Sequence, residues 1–154
     1  MNAGVEIELT IIDANLGHVA GLRVVEDACF SQPWPDNLLR DHITGPNRVL
    51  LVALSGDRVV GYIGLIHVLD EGHISNIAVL PEYRRRGLGS ALLKAVLTRA
   101  EKLGLARIYL EVRASNDAAR AMYEKYGFSA DGRRLRYYEE PVEDAILMTK
   151  ILGE

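Results

Sequence analysis

A 154-residue chain that is 49% hydrophobic and 25% charged can build one domain with a substantial core. Its 18 basic and 21 acidic side chains leave a formal net charge of −3, which disfavours nucleic acid as a partner, and no apolar run is long enough to cross a membrane. The N-terminus lacks the pattern of a secretory signal, and the single cysteine, Cys29, excludes an internal disulfide. We therefore expect one domain over residues 1–154 in the reducing cytoplasm.

The first half of the chain predicts a strand, two helices and a meander of strands. Alternation of polar and apolar residues indicates a strand first, and apolar residues at helical spacing then indicate a helix that ends before Pro33. Ser55-Gly56-Asp57 is typical of a hairpin turn between two strands. The predicted elements in order are a strand over 6–12, helices over 16–29 and 36–43, and strands over 49–54, 59–68 and 72–79.

The second half of the chain alternates helices with strands. Gly104 and Gly127 stand where the two predicted helices stop, and Ser115 or Asn116 can cap the second of them. The predicted elements here are helices over 88–103 and 116–126, and strands over 107–112, 129–138 and 144–151. A strand meander followed by alternating helices and strands indicates an α/β domain with a mixed sheet rather than a doubly wound one.

A run of arginines and glycines lies between the strand that ends at Val79 and the helix that begins at Leu88, with the sequence Arg84-Arg85-Arg86-Gly87-Leu88-Gly89-Ser90. The first N–H groups of a helix are unpaired and its dipole favours negative charge there, so this turn predicts an anion site. Glycine lets the backbone approach phosphate oxygens closely, and arginine adds charged hydrogen bonds. The order of residues matches neither a nucleotide P-loop nor the dinucleotide-binding G-x-G-x-x-G pattern.

In its strand–turn–helix setting, Arg84-x-x-Gly87-x-Gly89 resembles the acyl-CoA signature of the GNAT acetyltransferases. The segment over 71–124 is similar to the RimI group of that family, the ribosomal-protein-alanine N-acetyltransferases. The stretches that carry this resemblance are Asn76-Ile77-Ala78-Val79, 84–93, Leu110-Glu111-Val112-Arg113-Ala114-Ser115-Asn116, Ala121-Met122-Tyr123-Glu124 and Tyr137-Tyr138. The resemblance implies a mixed, mostly antiparallel sheet of about seven strands with about four helices, splayed between the fourth and fifth strands.

The same resemblance implies acetyl-CoA as the cosubstrate, without a metal. It makes Glu111 the base that takes the amine proton and Tyr123 the acid that protonates the CoA thiolate. A backbone N–H at the end of the strand over 72–79 would stabilise the charge that develops on the thioester oxygen. The implied cofactor contacts are Ile77, Ala78, Val79, Arg84, Arg85, Arg86, Gly87, Leu88, Gly89, Ser90 and Asn116.

The paired tyrosines Tyr137 and Tyr138 are expected, by the same resemblance, to line the groove of the acceptor peptide. Adjacent residues of a strand point to opposite faces, so at most one of the two is expected to face inward. Glu139 follows them where the group usually has a proline, which predicts a different substrate-selecting loop. The acids between Glu139 and Asp144 form either a solvated face or a feature that favours a basic peptide N-terminus.

The main interpretation is direct transfer of acetyl from acetyl-CoA to the α-amine of a protein, with the N-terminal alanine of a small-subunit ribosomal protein as the expected acceptor. Two alternatives stay open: an acetyltransferase for a small-molecule amine, and a non-catalytic acyl-CoA-binding module. Cys29 has no His and acid partner at recognisable spacing and is expected to be a small buried residue. The four histidines show no metal-binding spacing, and the oligomeric state stays open.

Overall fold

The computed structural model describes residues 9–153, so residues 6–8 of the first predicted strand lie outside the described part. The other predicted elements are all present, with ends close to those expected. They are β1 (Leu9–Asp13), α1 (Val19–Cys29), α2 (Asp36–Thr44), β2 (Arg48–Ser55), β3 (Arg58–Val68), β4 (Glu71–Val79), α3 (Leu88–Lys102), β5 (Arg107–Arg113), α4 (Asp117–Lys125), β6 (Ser129–Glu139) and β7 (Val142–Ile151). Short 3₁₀ turns precede α1 and follow β4.

The strands form one seven-stranded sheet in the order β1-β2-β3-β4-β5-β7-β6. Neighbouring strands are antiparallel except β4 and β5, which are parallel. Parallel neighbours need a long connection, and here α3 provides the crossover. This mixed, mostly antiparallel sheet confirms the predicted fold class.

The sheet opens between β4 and β5, which pair only from Glu71 to His73 on β4. The register between β3 and β4 shifts immediately afterwards, which leaves Ser75 as an extra residue on β4. A bulge of this kind bends its strand, so β4 turns away from β5 at this point. β5 stays paired with β7 over residues 107–113. The splay predicted between the fourth and fifth strands is therefore confirmed.

The core lies around β2 and β3, whose residues 49–53 and 59–65 are buried without interruption. Continuous burial of this kind is expected where helices cover a strand, and α1 and α3 both pack on β3. β6 is an edge strand and is exposed along most of its length. The packed centre therefore fixes the position of β4, and β7 is held by its pairing with β5 and by the buried residues Ala145, Ile146 and Met148. Within residues 9–153, no helix combines the length and apolar character that a membrane crossing requires.

Candidate active site

The gap between β4 and β5 opens into a cavity of about 930 Å³. Its walls come from six parts of the chain: the end of α1 with the segment after it, the end of β4, the turn after β4, the end of β5, the start and face of α4, and the β6–β7 hairpin. The lining residues are Cys29, Phe30, Ser31, Gln32, Ile77, Ala78, Val79, Arg84, Arg113, Asn116, Ala119, Met122, Tyr123 and Tyr137 to Pro141. Several residues predicted from separate sequence motifs therefore share one cavity.

A smaller pocket of about 160 Å³ lies deeper in the gap and contains the Glu111 side chain. Ile77, Tyr123, Tyr137 and Tyr138 line both this pocket and the large cavity. The two spaces thus meet at the three tyrosines. Glu111 and Tyr123, which the sequence predicted as a base and an acid, face the same small space.

The arginine-glycine turn has the backbone of an open helix start. Arg85 and Gly87 adopt left-handed conformations with φ of 63° and 77°, and Gly87 is the N-cap of α3. A Cβ at Gly87 would meet no heavy atom within 4 Å, so the space beside this N-cap residue is open. This arrangement fits a phosphate group, because unpaired helix N–H groups and the helix dipole both attract an anion.

The arginines of this turn point in different directions. Arg84 folds back along β4, where its Nε donates to the Val79 carbonyl oxygen at 2.9 Å and its Nη2 lies 3.5 Å from the Cys29 sulfur. The Arg86 guanidinium lies over the Tyr83 ring, 5.5 Å from its centroid. Arg84 therefore joins the turn to the end of β4, and its predicted contact with the cofactor stays a prediction, as do those of Arg85 and Arg86.

Glu111 lies on β5 with a side chain that is only 11% exposed. Its Oε1 is 2.7 Å from Nε2 of His73 on β4, and the His73 ring stacks on Tyr109. The sequence predicted Glu111 but treated His73 as an ordinary polar residue. A histidine and an acid 38 positions apart carry no local signal, and the contact arises because β4 and β5 are parallel neighbours.

Tyr123 lies on α4 and is 4% exposed, with its ring edge-to-face against Phe128. Burial, followed by the nearby Tyr138, raises the pKa of Tyr123 above its ordinary value. The phenol therefore keeps its proton at neutral pH and can act as a donor. At the start of the same helix, Oδ1 of Asn116 accepts from the Ala119 N–H at 3.1 Å, so Asn116 is the N-cap as well as a cavity residue.

Tyr137 and Tyr138 both line the two pockets, so the prediction that they point to opposite faces is wrong. The pairing of β6 with β7 shifts between Arg134 and Tyr138, and Arg136 has a φ of 52°, which together interrupt the alternation of a regular strand. The two rings meet edge-to-face at 5.0 Å. Burial, then Tyr137, then the Glu111 carboxylate raise the pKa of Tyr138 to about 12.

Arg113 ties the β6–β7 hairpin to β5. Its guanidinium donates to the carbonyl oxygens of Glu140 and Pro141 and to the Glu143 carboxylate, and it lies over the Tyr138 ring at 4.3 Å. Glu143 also accepts from the Ser115 N–H. The arginine neighbour and these hydrogen bonds keep the pKa of Glu143 below its usual value, with the Ser115 contacts contributing most.

The acidic run therefore divides into two pairs. Glu143 and Asp144 are held by arginines, since Asp144 pairs with Arg133 at 2.8 Å. Glu139 and Glu140 are exposed and line the large cavity. Two of the four acids thus stabilise the hairpin, and the other two are available to a ligand.

Cys29 ends α1, as predicted, but it is half-buried on the cavity wall rather than a buried packing residue. Its thiol donates to the Val79 carbonyl oxygen at 3.4 Å. The reason is the shape of the site: the gap beside β4 leaves the end of α1 without a covering strand. Burial still raises the pKa of the Cys29 thiol, which favours the protonated form.

A chain of three buried or half-buried polar side chains, joined by hydrogen bonds, links α1 and β3 to β4. The Tyr62 hydroxyl donates to Glu26, which is 0% exposed, and Nδ2 of Asn76 donates to the Tyr62 oxygen at 2.9 Å. Oδ1 of Asn76 in turn accepts from the Ile77 N–H. Burial raises the pKa of Glu26 above its ordinary value. No local sequence pattern reveals this chain, because its three side chains come from α1, β3 and β4.

A model of the acetyltransferase (GNAT) family matches residues 19–128, which is more than half of the chain. The chain belongs to the GNAT acetyltransferase family. It is therefore an acetyl-CoA-dependent N-acetyltransferase, as the resemblance of the sequence predicted. The glycine turn, the open edge of β4 and the pocket lined by Glu111 and Tyr123 all lie in or beside this matched segment.

Relatives of this acetyltransferase carry a more specific name. The ribosomal protein bS18-alanine N-acetyltransferase of Salmonella typhimurium is 37% identical over 126 residues, which cover 80% of this chain and 84% of that protein. The N-alpha-acetyltransferase RimI of Mycobacterium tuberculosis is 36% identical over 126 residues, with coverage of 79% and 78%. The crystal structure of the ribosomal-protein-alanine N-acetyltransferase from Escherichia coli superposes with a TM-score of 0.88 at 33% identity and covers 96% of each chain.

Proposed function

We propose that this enzyme, as a single catalytic domain over residues 1–154, acetylates the N-terminal alanine of a small-subunit ribosomal protein. The observation that carries the proposal is the small pocket shared by Glu111 and Tyr123, which opens into a cavity wide enough for a chain terminus. The names of the Salmonella and Escherichia relatives favour alanine and a ribosomal acceptor. The proposal implies that the enzyme acts in the reducing cytoplasm, where ribosomal proteins are made.

The arginine-glycine turn and the end of β4 are proposed to hold acetyl-CoA. The N–H groups at the start of α3, with Arg85 and Arg86, bind the pyrophosphate, and Arg84 braces the turn against Val79. Ile77, Ala78 and Val79 offer backbone groups toward the gap, because β5 pairs with β4 only as far as His73. Gly87, Leu88, Gly89, Ser90 and Asn116 complete the proposed cofactor contacts. No part of this scheme involves a metal.

Glu111 and Tyr123 are proposed to move the two protons of the reaction. A peptide α-ammonium has a pKa near 8, so a modest base suffices to supply the neutral amine. The ammonium first loses one proton to solvent; as the new N–C bond forms and the C–S bond breaks, the Glu111 carboxylate takes the second proton from the nitrogen and later releases it to solvent, from which Tyr123 is reprotonated. The Tyr123 hydroxyl gives its proton to the departing sulfur, and a backbone N–H of β4 stabilises the charge on the carbonyl oxygen.

The acceptor terminus is proposed to lie between the segment after α1 and the β6–β7 hairpin. Tyr137 and Tyr138 flank the entrance to the small pocket, and Glu139 and Glu140 line the cavity beyond them. The small pocket suits a small first side chain such as alanine. The two exposed acids favour a peptide with basic residues behind the first position.

The test is intact-mass analysis of purified small-subunit ribosomal proteins after incubation with the enzyme and acetyl-CoA. One added acetyl group on one protein, absent with the Glu111→Gln variant, is the expected result. CoA release with amino acids or polyamines but with no protein would instead support the small-molecule alternative. Acetyl-CoA binding without CoA release from any acceptor would support the non-catalytic alternative.

A further inference from the structure

The Glu111 carboxylate on β5 is held by a side chain of the neighbouring strand β4. Its Oε1 is hydrogen-bonded at 2.7 Å to Nε2 of His73, and the two residues lie on the facing strands β4 and β5. His73 belongs to the last residue pair of the two strands, His73 with Tyr109, before the sheet opens. The histidine therefore stands at the closed end of the gap, where the position of one strand relative to the other is best defined.

The His73 ring is itself restrained. It stacks on Tyr109 with ring centroids 4.6 Å apart and an angle of 14° between the planes. Its outer side lines a separate cavity of about 210 Å³ with Tyr109, Asp70 and Glu71, whereas Glu111 lines the inner pocket. Stacking and strand pairing together leave the ring little freedom to turn away from the carboxylate.

A carboxylate only accepts hydrogen bonds, so Nε2 of His73 is the donor in this pair. The small pocket also contains other polar side chains, namely Ser75, Asn76 and the three tyrosines Tyr123, Tyr137 and Tyr138. The charge of Glu111 acts on the phenols of Tyr137 and Tyr138, since it contributes to the raised pKa of each after burial itself. A hydrogen bond with Glu111 also contributes to the raised pKa of Tyr137, so a carboxylate without the His73 bond would be oriented by this phenol alone.

We propose that His73 is a positioning residue that holds one oxygen of Glu111 and so directs the other toward the acceptor amine. The proposal rests on the proposed role of Glu111 as the base. His73 is expected to affect the proton-transfer step alone, because it lies outside the cavity assigned to acetyl-CoA. The partners that orient metal-binding side chains are typically worth about 10- to 100-fold in activity, and we expect a partner that orients a base to act on the same scale.

Three variants test the proposal in the full-length enzyme. His73→Ala removes the donor and is expected to lower kcat about 20-fold, with an unchanged dissociation constant for acetyl-CoA. His73→Gln restores an N–H donor at similar reach and is expected to recover most of that loss. His67→Gln is the control, at a histidine of the adjacent strand β3. Among the hydrogen bonds of residues 9–153, His67 makes none with Glu111, so this variant is expected to keep the parental kcat.

The proposal predicts that the effect of His73 disappears when Glu111 is absent. In a Glu111→Gln background, His73→Ala is expected to cause no further loss, because a residue that acts through another is not additive with it. A parental kcat in His73→Ala, no recovery in His73→Gln, or an additive loss in the double variant would each overturn the proposal. A parental rate in Glu111→Gln alone would overturn the role of Glu111 instead, so the two failures are distinguishable.

Tyr109→Leu provides an independent variant should His73→Ala fold poorly. Tyr109 is 38% exposed, so its replacement leaves the core unchanged but removes the surface on which the His73 ring stacks. A fall in kcat of about threefold, at constant acetyl-CoA affinity, is expected from the looser ring. A parental kcat in this variant would contradict the role of the stack in positioning His73.

Discussion

The two sides of the cavity are built in opposite ways. Apart from Asn116, the side assigned to acetyl-CoA is continuous in sequence, since the end of β4, the glycine turn and the start of α3 follow one another within residues 77–90. The acceptor side joins segments far apart in sequence, and Ser31 Oγ donates to the carbonyl oxygen of Glu140 across 109 positions. A local motif can therefore reveal the cofactor side, whereas the acceptor side exists only in the folded chain.

The two sides also differ in what holds them. The cofactor side rests on backbone geometry: a bulge in β4, a left-handed Gly87 and an open helix start. On the acceptor side β7 pairs with β5 through the backbone, but the turn of the β6–β7 hairpin is held by side chains, above all by Arg113, which binds two carbonyl oxygens and a carboxylate. Side-chain contacts change more readily between relatives than a backbone turn does. The same scaffold can therefore keep its cofactor while its acceptor varies.

The largest effect on kcat is expected at Glu111, in the pocket where the cofactor side and the acceptor side of the cavity meet. Glu111→Gln keeps the size of the side chain but cannot take the amine proton, so kcat should fall about 1,000-fold. Acetyl-CoA binding, measured by calorimetry, should stay at the parental level because Glu111 lies in the inner pocket. A parental kcat would show that the base lies elsewhere.

Tyr123→Phe should lower kcat about 30-fold, since the departing sulfur then takes its proton from water. Burial raises the pKa of Tyr123, so the acid form persists as the pH rises through the ordinary tyrosine range. The ratio of parental to variant kcat should therefore stay constant between about pH 7 and pH 9.5. A ratio that declines with rising pH would indicate that the Tyr123 phenol ionises and is not protected by burial.

Gly87→Ala should affect the cofactor side alone. Its φ of 77° is strained for a residue with a Cβ, and we expect a loss of about 1 kcal/mol in the free energy of unfolding. Relief of that strain would move the first N–H groups of α3, so KM for acetyl-CoA should rise about 10-fold. KM for the acceptor peptide serves as the internal control and should change little. Equal increases in the KM for acetyl-CoA and in the KM for the peptide would contradict the conclusion that the two sides of the cavity act separately.

Arg113→Ala should affect the acceptor side alone. Loss of its bonds frees the β6–β7 hairpin, and KM for an alanine-starting peptide should rise about fivefold, whereas KM for acetyl-CoA should remain as in the parent. Arg133→Ala is the matched control, because it breaks a salt bridge of the same hairpin at Asp144, away from the cavity lining. Similar peptide KM values in both variants would refute the role of Arg113.

The smallest expected effect concerns the buried chain beneath β4. The raised pKa of Glu26 means that the folded protein holds this proton more tightly than the unfolded chain does. The stability that this bound proton contributes is fully present below pH 4.5, which is the ordinary pKa of a glutamate, and is lost as the pH rises. Glu26→Gln should remove that dependence, so its stability relative to the parent should improve by about 1 kcal/mol between about pH 5 and pH 8. Chemical denaturation at both pH values measures this difference.

Much of the fold and half of the site could be predicted from the sequence. Hydrophobic periodicity, helix-stopping glycines and turn residues are local properties, and they predicted nearly every helix and strand. The glycine turn before α3 is equally local, because one short segment supplies both the anion-binding N–H groups and the conformational freedom that they need. Family resemblance added Glu111 and Tyr123, which the fold then brings to one pocket.

Only the tertiary structure decided which side chains meet across the sheet. Strand alternation predicted opposite faces for Tyr137 and Tyr138, but a register shift in an exposed edge strand turns both toward Glu111. His73 contacts Glu111 because parallel strands bring together positions 38 residues apart, and Cys29 reaches the cavity because the bulge in β4 opens the sheet beside it. Sequence patterns determine the conformation of a segment, whereas contacts between distant segments depend on registers and bulges that the packing of the whole chain selects.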